Sequence, residues 1–138
     1  MRAKLVLVLA SRILMMGLHV RAHHSFAAEF DIDKPVTLKG TLTKMSWVNP
    51  HGWIYIDVKE PDGKVTNWAV EAGAPNALLR RGLRNSDFPV GTEVVVEGYR
   101  AKNGSDIANG GSVVLADGKK LFVGSSGTGA PYEEKEKK

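Results

Sequence analysis

Histidines are the residues in this sequence whose type and position best suit chemistry. His23 and His24 are adjacent, and His51 follows in an Asn-Pro-His-Gly turn. If the chain is cleaved after Ala22, His23 becomes the amino terminus and can chelate a metal through its α-amine and its ring together. A further imidazole, from His24 or His51, would complete three nitrogen ligands of the kind that suits copper(II). The pattern therefore suggests a copper site built from His23, His24 and His51.

A simpler interpretation of the histidines stays open. A histidine in a turn often hydrogen-bonds backbone groups, and a His-His pair after a leader can be solvated. Zinc suits the set less well, because its structural sites need four ligands and its catalytic sites need a defined outer shell. Cysteine is absent, which excludes disulfides and cysteine-based metal centres. The sequence therefore establishes no cofactor, and copper is the metal that it suggests.

Aromatic residues near the same turn offer a second kind of site. The alternation of residues from position 53 onward places Trp53 and Tyr55 on the face opposite the isoleucines of the same strand. Large rings are more often buried than used for stacking, and Trp68 is assigned to the core. The candidate ligand-binding residues are the exposed pair and two residues of the preceding turn: Asn49, His51, Trp53 and Tyr55.

No set of residues specifies a reaction. Ser125 lies in a Gly-Ser-Ser-Gly-Thr run, which lacks the last glycine of a nucleophile elbow. Phosphate-cradling and dinucleotide-binding fingerprints are absent as well. The sequence therefore favours a non-enzymatic protein, with a small ligand or an envelope protein as its partner.

The first 22 residues have the pattern of a cleavable secretory leader. A basic start is followed by apolar runs, and Val20-Arg21-Ala22 ends on the small residue that precedes cleavage. An uncleaved membrane anchor is the alternative, but the apolar stretch is shorter than the ~20 residues of a bilayer span. Arg12 also interrupts it. We therefore predict a periplasmic or secreted protein with no stable membrane anchor after cleavage.

The net charge argues against a nucleic-acid partner. The chain carries 19 basic and 15 acidic residues, a formal charge of +4. Four basic residues lie in the predicted leader, so 15 remain against 15 acidic residues. Binding to a phosphate backbone needs a basic surplus or stripe. The predicted mature chain has neither.

Short alternating runs predict an all-β domain with one short helix. Strands are expected over 36–42, 53–58, 65–70, 92–100, 112–115 and 119–123, and the helix over 74–81. A change of parity after Lys44 indicates a bulge in the first strand or a strongly coiled strand. This order predicts a small Greek-key OB-like barrel of five to six strands. An open sandwich is the alternative.

The domain boundaries follow from composition. Of the 138 residues, those from 23 to 123 are predicted to form a single β-barrel-like domain. The segment 102–111 is rich in Gly and Asn and is expected to be a loop. Residues 124–138 are Gly- and Ser-rich and then charged, and are expected to form a flexible tail.

Four segments carry a resemblance to a known family. They are the paired-histidine run 22–31, the Asn-Pro-His run 47–51, and the stretches 108–110 and 115–124. Together they resemble a bacterial domain-of-unknown-function family of small exported proteins. The resemblance implies an envelope or secreted location and a β-barrel-like domain, and it brings no activity. His23, His24 and His51 match the motif positions of that family.

Two functions are therefore carried forward. The first is an exported binding or interaction module that is not catalytic. The second is a copper-binding protein that uses a processed His23 with His24 and His51.

Overall fold

Six strands and three short helices form the described part of the chain. The computed structural model describes residues 25–136. The strands are β1 Phe30–Ser46, β2 Trp53–Lys59, β3 Val65–Glu71, β4 Glu93–Ala101, β5 Ile107–Leu115 and β6 Lys120–Phe122. The helices are α1 Phe26–Glu29, α2 Pro75–Arg80 and α3 Glu133–Glu136, and a 3₁₀ turn spans Asn85–Asp87.

The strands close into a ring. They follow the order β3-β2-β1-β4-β5-β6, and an additional pairing joins β3 to β5. That pairing is parallel and aligns Ala69 with Ile107 and Glu71 with Asn109, whereas the neighbouring pairs are antiparallel. Helix α2 lies between β3 and β4 in the chain. The prediction of a small Greek-key OB-like barrel is confirmed, and α2 is the short helix that was predicted over 74–81.

The first strand makes closure possible because it is long and irregular. It pairs with β2 through its second half and with β4 along most of its length. Its register against β2 shifts between Leu42 and Lys44, just before the change of parity that was predicted after Lys44. A side chain at Gly40 would collide with the carbonyl of Asp57, so this close strand approach needs glycine. The strand begins at Phe30, six residues before its predicted start.

Alternating side chains of β2 fill the barrel interior. Ile54 and Ile56 are fully buried, while Trp53 and Tyr55 on the opposite face are half-buried. Trp68 of β3 is also in the core, as predicted. Burying each isoleucine stabilises the fold by about 1.5–3 kcal/mol relative to exposure. The outer face of β2 is therefore the face open to partners.

Two predictions about the second half of the chain are wrong. Strand β5 begins at Ile107, inside the expected loop, because its small residues fit a crowded position beside β3 and β4. The segment from residue 124 is not a free tail, since Ser125, Ala130 and Tyr132 are buried. Tyr132 fills space left by two glycines, which residue composition alone does not reveal.

The predicted leader, residues 1–22, lies outside the described residues, as do His23 and His24. Among the helices that are described, none has the length and apolar content required to cross a bilayer.

Candidate functional site

A row of outward-facing residues crosses the seam where the barrel closes. Trp53 on β2 lies opposite Glu71 on β3, and Glu71 lies opposite Asn109 on β5. Partners in a ladder share a face, and Trp53 points away from the core isoleucines. The side chains of Glu71 and Asn109 therefore project from the outer face of the barrel.

Both ends of the described chain cover this row. Phe26 and Phe30 from the start of the chain form a second apolar cluster with Ala130 and Tyr132 from its end. The N–H of Phe26 donates to the carbonyl of Thr128 at 2.9 Å, which joins the two covering segments. Glu71 is consequently only 8% exposed and Asn109 only 1%.

The covered polar groups form a chain of hydrogen bonds. The hydroxyl of Tyr132 donates to Asn109 Oδ1 at 2.6 Å, and Asn109 Nδ2 donates to Glu71 Oε1 at 3.2 Å. Burial raises the pKa of the Tyr132 hydroxyl well above its ordinary value, so this group stays protonated and remains a donor. The amide of Asn109 is thereby oriented with its nitrogen toward the carboxylate.

His51 lies beside Glu71, at the end of this series of hydrogen bonds. The N–H of Ala72 donates to the carbonyl of Gly52 at 2.8 Å, and the N–H of Gly52 donates to the carbonyl of Gly73 at 3.0 Å. These bonds fasten the turn that carries His51 to the end of β3. His51 Nδ1 is 3.7 Å from Glu71 Oε1, with the imidazole side chain 18% exposed. We call His51, Glu71, Asn109, Ser125 and Tyr132 the His51–Glu71 site.

Ser125 adds a hydroxyl beside the imidazole but does not complete a catalytic relay. Its Oγ is 3.5 Å from His51 Nδ1, the same nitrogen that faces Glu71. A serine hydrolase triad places the nucleophile and the acid on opposite ring nitrogens. Neither contact involves Nε2. The arrangement therefore suits an oriented imidazole that binds through Nε2 better than a nucleophilic serine.

A groove of about 400 Å³ borders the site, and Trp53 and Glu71 both line it. Phe30, Ala101 and Ile107 supply apolar wall, and Glu29 and Lys102 supply charged groups. This volume falls in the range of pockets for small ligands.

The predicted site residues are distributed unevenly around this site. His51 belongs to the His51–Glu71 site. Trp53 lines the groove beside it. Tyr55 is the next residue on the same face of β2 as Trp53. It is covered by Lys44, whose Nζ is 5.6 Å from the ring centroid. Asn49 is exposed in the turn. Within residues 25–136, no three His, Cys, Asp or Glu side chains are grouped to hold a metal ion.

Sequence reasoning missed Glu71, Asn109, Ser125 and Tyr132. A single polar residue among small ones, as at Asn109, is a weak sign of a buried amide. No sequence feature predicted that Tyr132 is buried, because it lies in a charged and glycine-rich segment. Their proximity depends on strands and segments that are far apart in the chain.

Comparison with known families then places the chain. A model of a family of unknown function, DUF6152, matches residues 11–110, which is most of the 138 residues. The chain belongs to the DUF6152 family. The DUF6152 match includes His51, Glu71 and Asn109 and stops before the segment with Ser125 and Tyr132. No curated protein matches the chain significantly, and no solved structure does either.

Proposed function

We propose that this DUF6152 protein is an exported, non-catalytic binding protein that holds its ligand at the His51–Glu71 site and its groove. The carrying observation is that Glu71, whose side chain is only 10% exposed, faces the imidazole of His51 and lines a groove. This contact orients the imidazole through Nδ1 and leaves Nε2 for a ligand.

The absence of catalysis in this proposal is supported by the geometry of the serine. Ser125 and Glu71 approach the same nitrogen of His51, so a proton cannot pass from the hydroxyl across the ring to the acid. The export in this proposal is supported by the sequence of residues 1–22, which has a basic start, an apolar stretch and a small residue at its end.

Copper(II) binding through His23, His24 and His51 is the second candidate function. Histidines that bind metals commonly direct their other ring nitrogen toward a carboxylate or another acceptor, and His51 Nδ1 faces Glu71 and Ser125. The described chain begins at Ser25, whose neighbour Phe26 is bonded to Thr128. Thr128 is three residues from Ser125, which is at most about 11 Å of extended chain. A His23 left at the terminus by cleavage would precede Ser25 by two residues in the sequence.

The experiment starts with protein expressed with its full leader and recovered from the periplasm. We expect the intact mass to be that of a chain that begins at His23. Protein purified natively is then denatured, and the released small molecules are identified by mass spectrometry, for wild type, His51→Ala and the control Asn49→Ala in the same turn. A ligand retained by wild type and Asn49→Ala and lost from His51→Ala supports the binding function. Retention of Met1 in cytosolic protein overturns the export, and a ligand unaffected in His51→Ala overturns the site.

Copper is tested on the same material after treatment with a chelator. Copper(II) is titrated into wild type, His51→Ala, and His23→Ala, which removes the ring that would chelate the metal together with the terminal α-amine. Tight binding that weakens in both variants supports the copper candidate. Binding that is absent, or equal in all three proteins, removes it.

A further inference from the structure

We infer that Asn103 is a site of spontaneous deamidation and isomerisation, which slowly alters the turn between β4 and β5. The turn covers residues 102–106, between the end of β4 at Ala101 and the start of β5 at Ile107. Asn103 also lines the groove beside the His51–Glu71 site, but its reactivity is independent of any ligand there.

The reaction needs only the chain and water. The backbone nitrogen of Gly104 gives up its proton and bonds to Cγ of Asn103, while Nδ2 takes up a proton and leaves as ammonia. Water then opens the cyclic imide. Attack at Cγ breaks the bond from Cγ to the Gly104 nitrogen and gives aspartate. Attack at the backbone carbonyl carbon of Asn103 breaks the other bond to that nitrogen and gives isoaspartate, whose backbone is longer by a methylene. Glycine favours ring closure, because no side chain obstructs the nitrogen and the backbone rotates freely.

The chain has two Asn-Gly pairs, Asn103-Gly104 and Asn109-Gly110, and their surroundings differ. Asn103 is exposed in a turn. Asn109 lies within β5, is 1% exposed, and has its amide held at both ends, by Tyr132 and by Glu71. Ring closure requires the side chain to fold back onto the following nitrogen, so Asn109 can react only when β5 opens. The structure therefore favours Asn103.

Hydrogen bonds within the turn prepare the Asn103 amide for attack. Its Oδ1 accepts from the N–H of Ser105 at 3.0 Å and from the Ser105 hydroxyl at 2.6 Å. Both bonds draw electron density from the amide carbonyl, which makes Cγ more electrophilic. The N–H of Gly104 donates to the carbonyl of Ala101 at 3.1 Å. This bond must break first, and the cost is small at an exposed position because water replaces it.

Isoaspartate formation loosens a junction that the turn supports. Arg100 donates to the carbonyl of Gly104 at 2.8 Å and to that of Ser105 at 3.2 Å. The N–H of Ala69 donates to the carbonyl of Asp106 at 3.1 Å, beside the first residues of the β3–β5 pairing. A longer backbone displaces these carbonyls from their donors, so the seam of the barrel loses support.

The site is tested by incubating the folded protein in water enriched in heavy oxygen, which marks each amide that reacts during the incubation. Cleavage before Asp106 then separates the two Asn-Gly pairs into different peptides for mass spectrometry. We expect heavy-oxygen aspartate and isoaspartate at Asn103, with conversion at Asn109 slower by at least about a hundredfold. Absence of conversion at Asn103, or equal conversion at Asn109, overturns the inference.

The same incubation in urea tests whether the fold causes the difference. Without the fold, both Asn-Gly pairs should react at similar rates, because both offer the same nitrogen and amide. A difference of similar size that persists in urea would show that the neighbouring sequence is responsible, and would overturn the structural assignment.

Two variants test the route through the imide. Asn103→Gln places the amide carbon one methylene further from the Gly104 nitrogen, so conversion at this position should fall by about a hundredfold. Asn76→Gln, at an exposed position of α2, is the matched control and should leave conversion of Asn103 unchanged. Conversion in Asn103→Gln at the wild-type rate overturns the route.

The effect on the seam is measured on isoaspartate-containing protein separated by chromatography. Its urea midpoint should lie below that of the unreacted protein. Asn103→Asp adds the charge without lengthening the backbone and should unfold close to wild type. Equal midpoints for all three proteins would overturn the loosening of the seam.

Discussion

Tyr132 and Asn109 are 23 residues apart in the chain, and the hydroxyl of one donates a 2.6 Å hydrogen bond to the amide oxygen of the other. The bond fastens the C-terminal segment to the seam between β3 and β5. It also determines which end of the Asn109 amide faces Glu71. The C-terminal segment therefore helps to orient the amide that donates to the Glu71 carboxylate.

Replacing Tyr132 with phenylalanine should destabilise the protein. The substitution keeps the ring but leaves Asn109 Oδ1, in a side chain that is 1% exposed, without this donor. A buried acceptor that loses its partner costs about 1–3 kcal/mol. Urea unfolding should show a lower midpoint with an unchanged slope. Tyr55→Phe on the outer face of β2 is the control, and equal midpoints for the two variants would contradict this role.

Tyr132 should also make stability depend on alkaline pH. Burial raises the pKa of its hydroxyl above the ordinary value of 10.0, so above about pH 10 the unfolded chain releases a proton that the folded chain keeps. This contribution is complete below that pH and is lost as the pH rises. The free energy of unfolding of wild type should therefore fall toward that of Tyr132→Phe as the pH rises above about 10. Parallel curves for the two proteins would show that Tyr132 does not titrate this way.

Glu133 should contribute stability at neutral pH that disappears in acid. Partial burial alone would raise its pKa, but hydrogen bonds from the Thr128 hydroxyl and from backbone N–H groups of Thr128, Gly127 and Ala130 lower it. A depressed pKa stabilises the fold above the ordinary value of 4.5 and loses this effect as the pH falls through the folded pKa. Glu133→Gln should melt below wild type at pH 7, and the gap should close in acid. Exposed Glu134→Gln is the control, and a gap that persists at low pH would count against the carboxylate.

Gly124 should tolerate no side chain. A Cβ atom there would lie 2.8 Å from Cζ of Tyr132 and closer still to Cε2. Overpacking of this kind costs about 1–3 kcal/mol, so Gly124→Ala should lower the urea midpoint while Ser126→Ala, at an exposed position, should not. In the double variant with Tyr132→Leu the two losses should add to less than their sum, because the collision is gone. Simple additivity would mean that the glycine acts elsewhere.

The alternation of β2 shows how far local pattern reaches. Ile54 and Ile56 are separated by one residue, so the period of two assigns them to one face without any knowledge of the partner strands. An extra residue shifts the parity within one strand, so an irregularity near Lys44 was also predictable from neighbouring residues alone. His51 and Trp53 were found because turn chemistry and strand parity are properties of neighbouring residues.

The sequence by itself determined most of the strand positions, the order that predicts a barrel, and two members of the site and its groove, because these depend on residues close together in the chain. Only the tertiary structure decided that Glu71, Asn109 and Tyr132 meet. The parallel β3–β5 pairing brings the first two together, and Tyr132 reaches them across Gly111 and Gly124, where the absence of side chains leaves room for its ring. Such contacts arise from the packing of distant segments, and no periodicity within a segment encodes them.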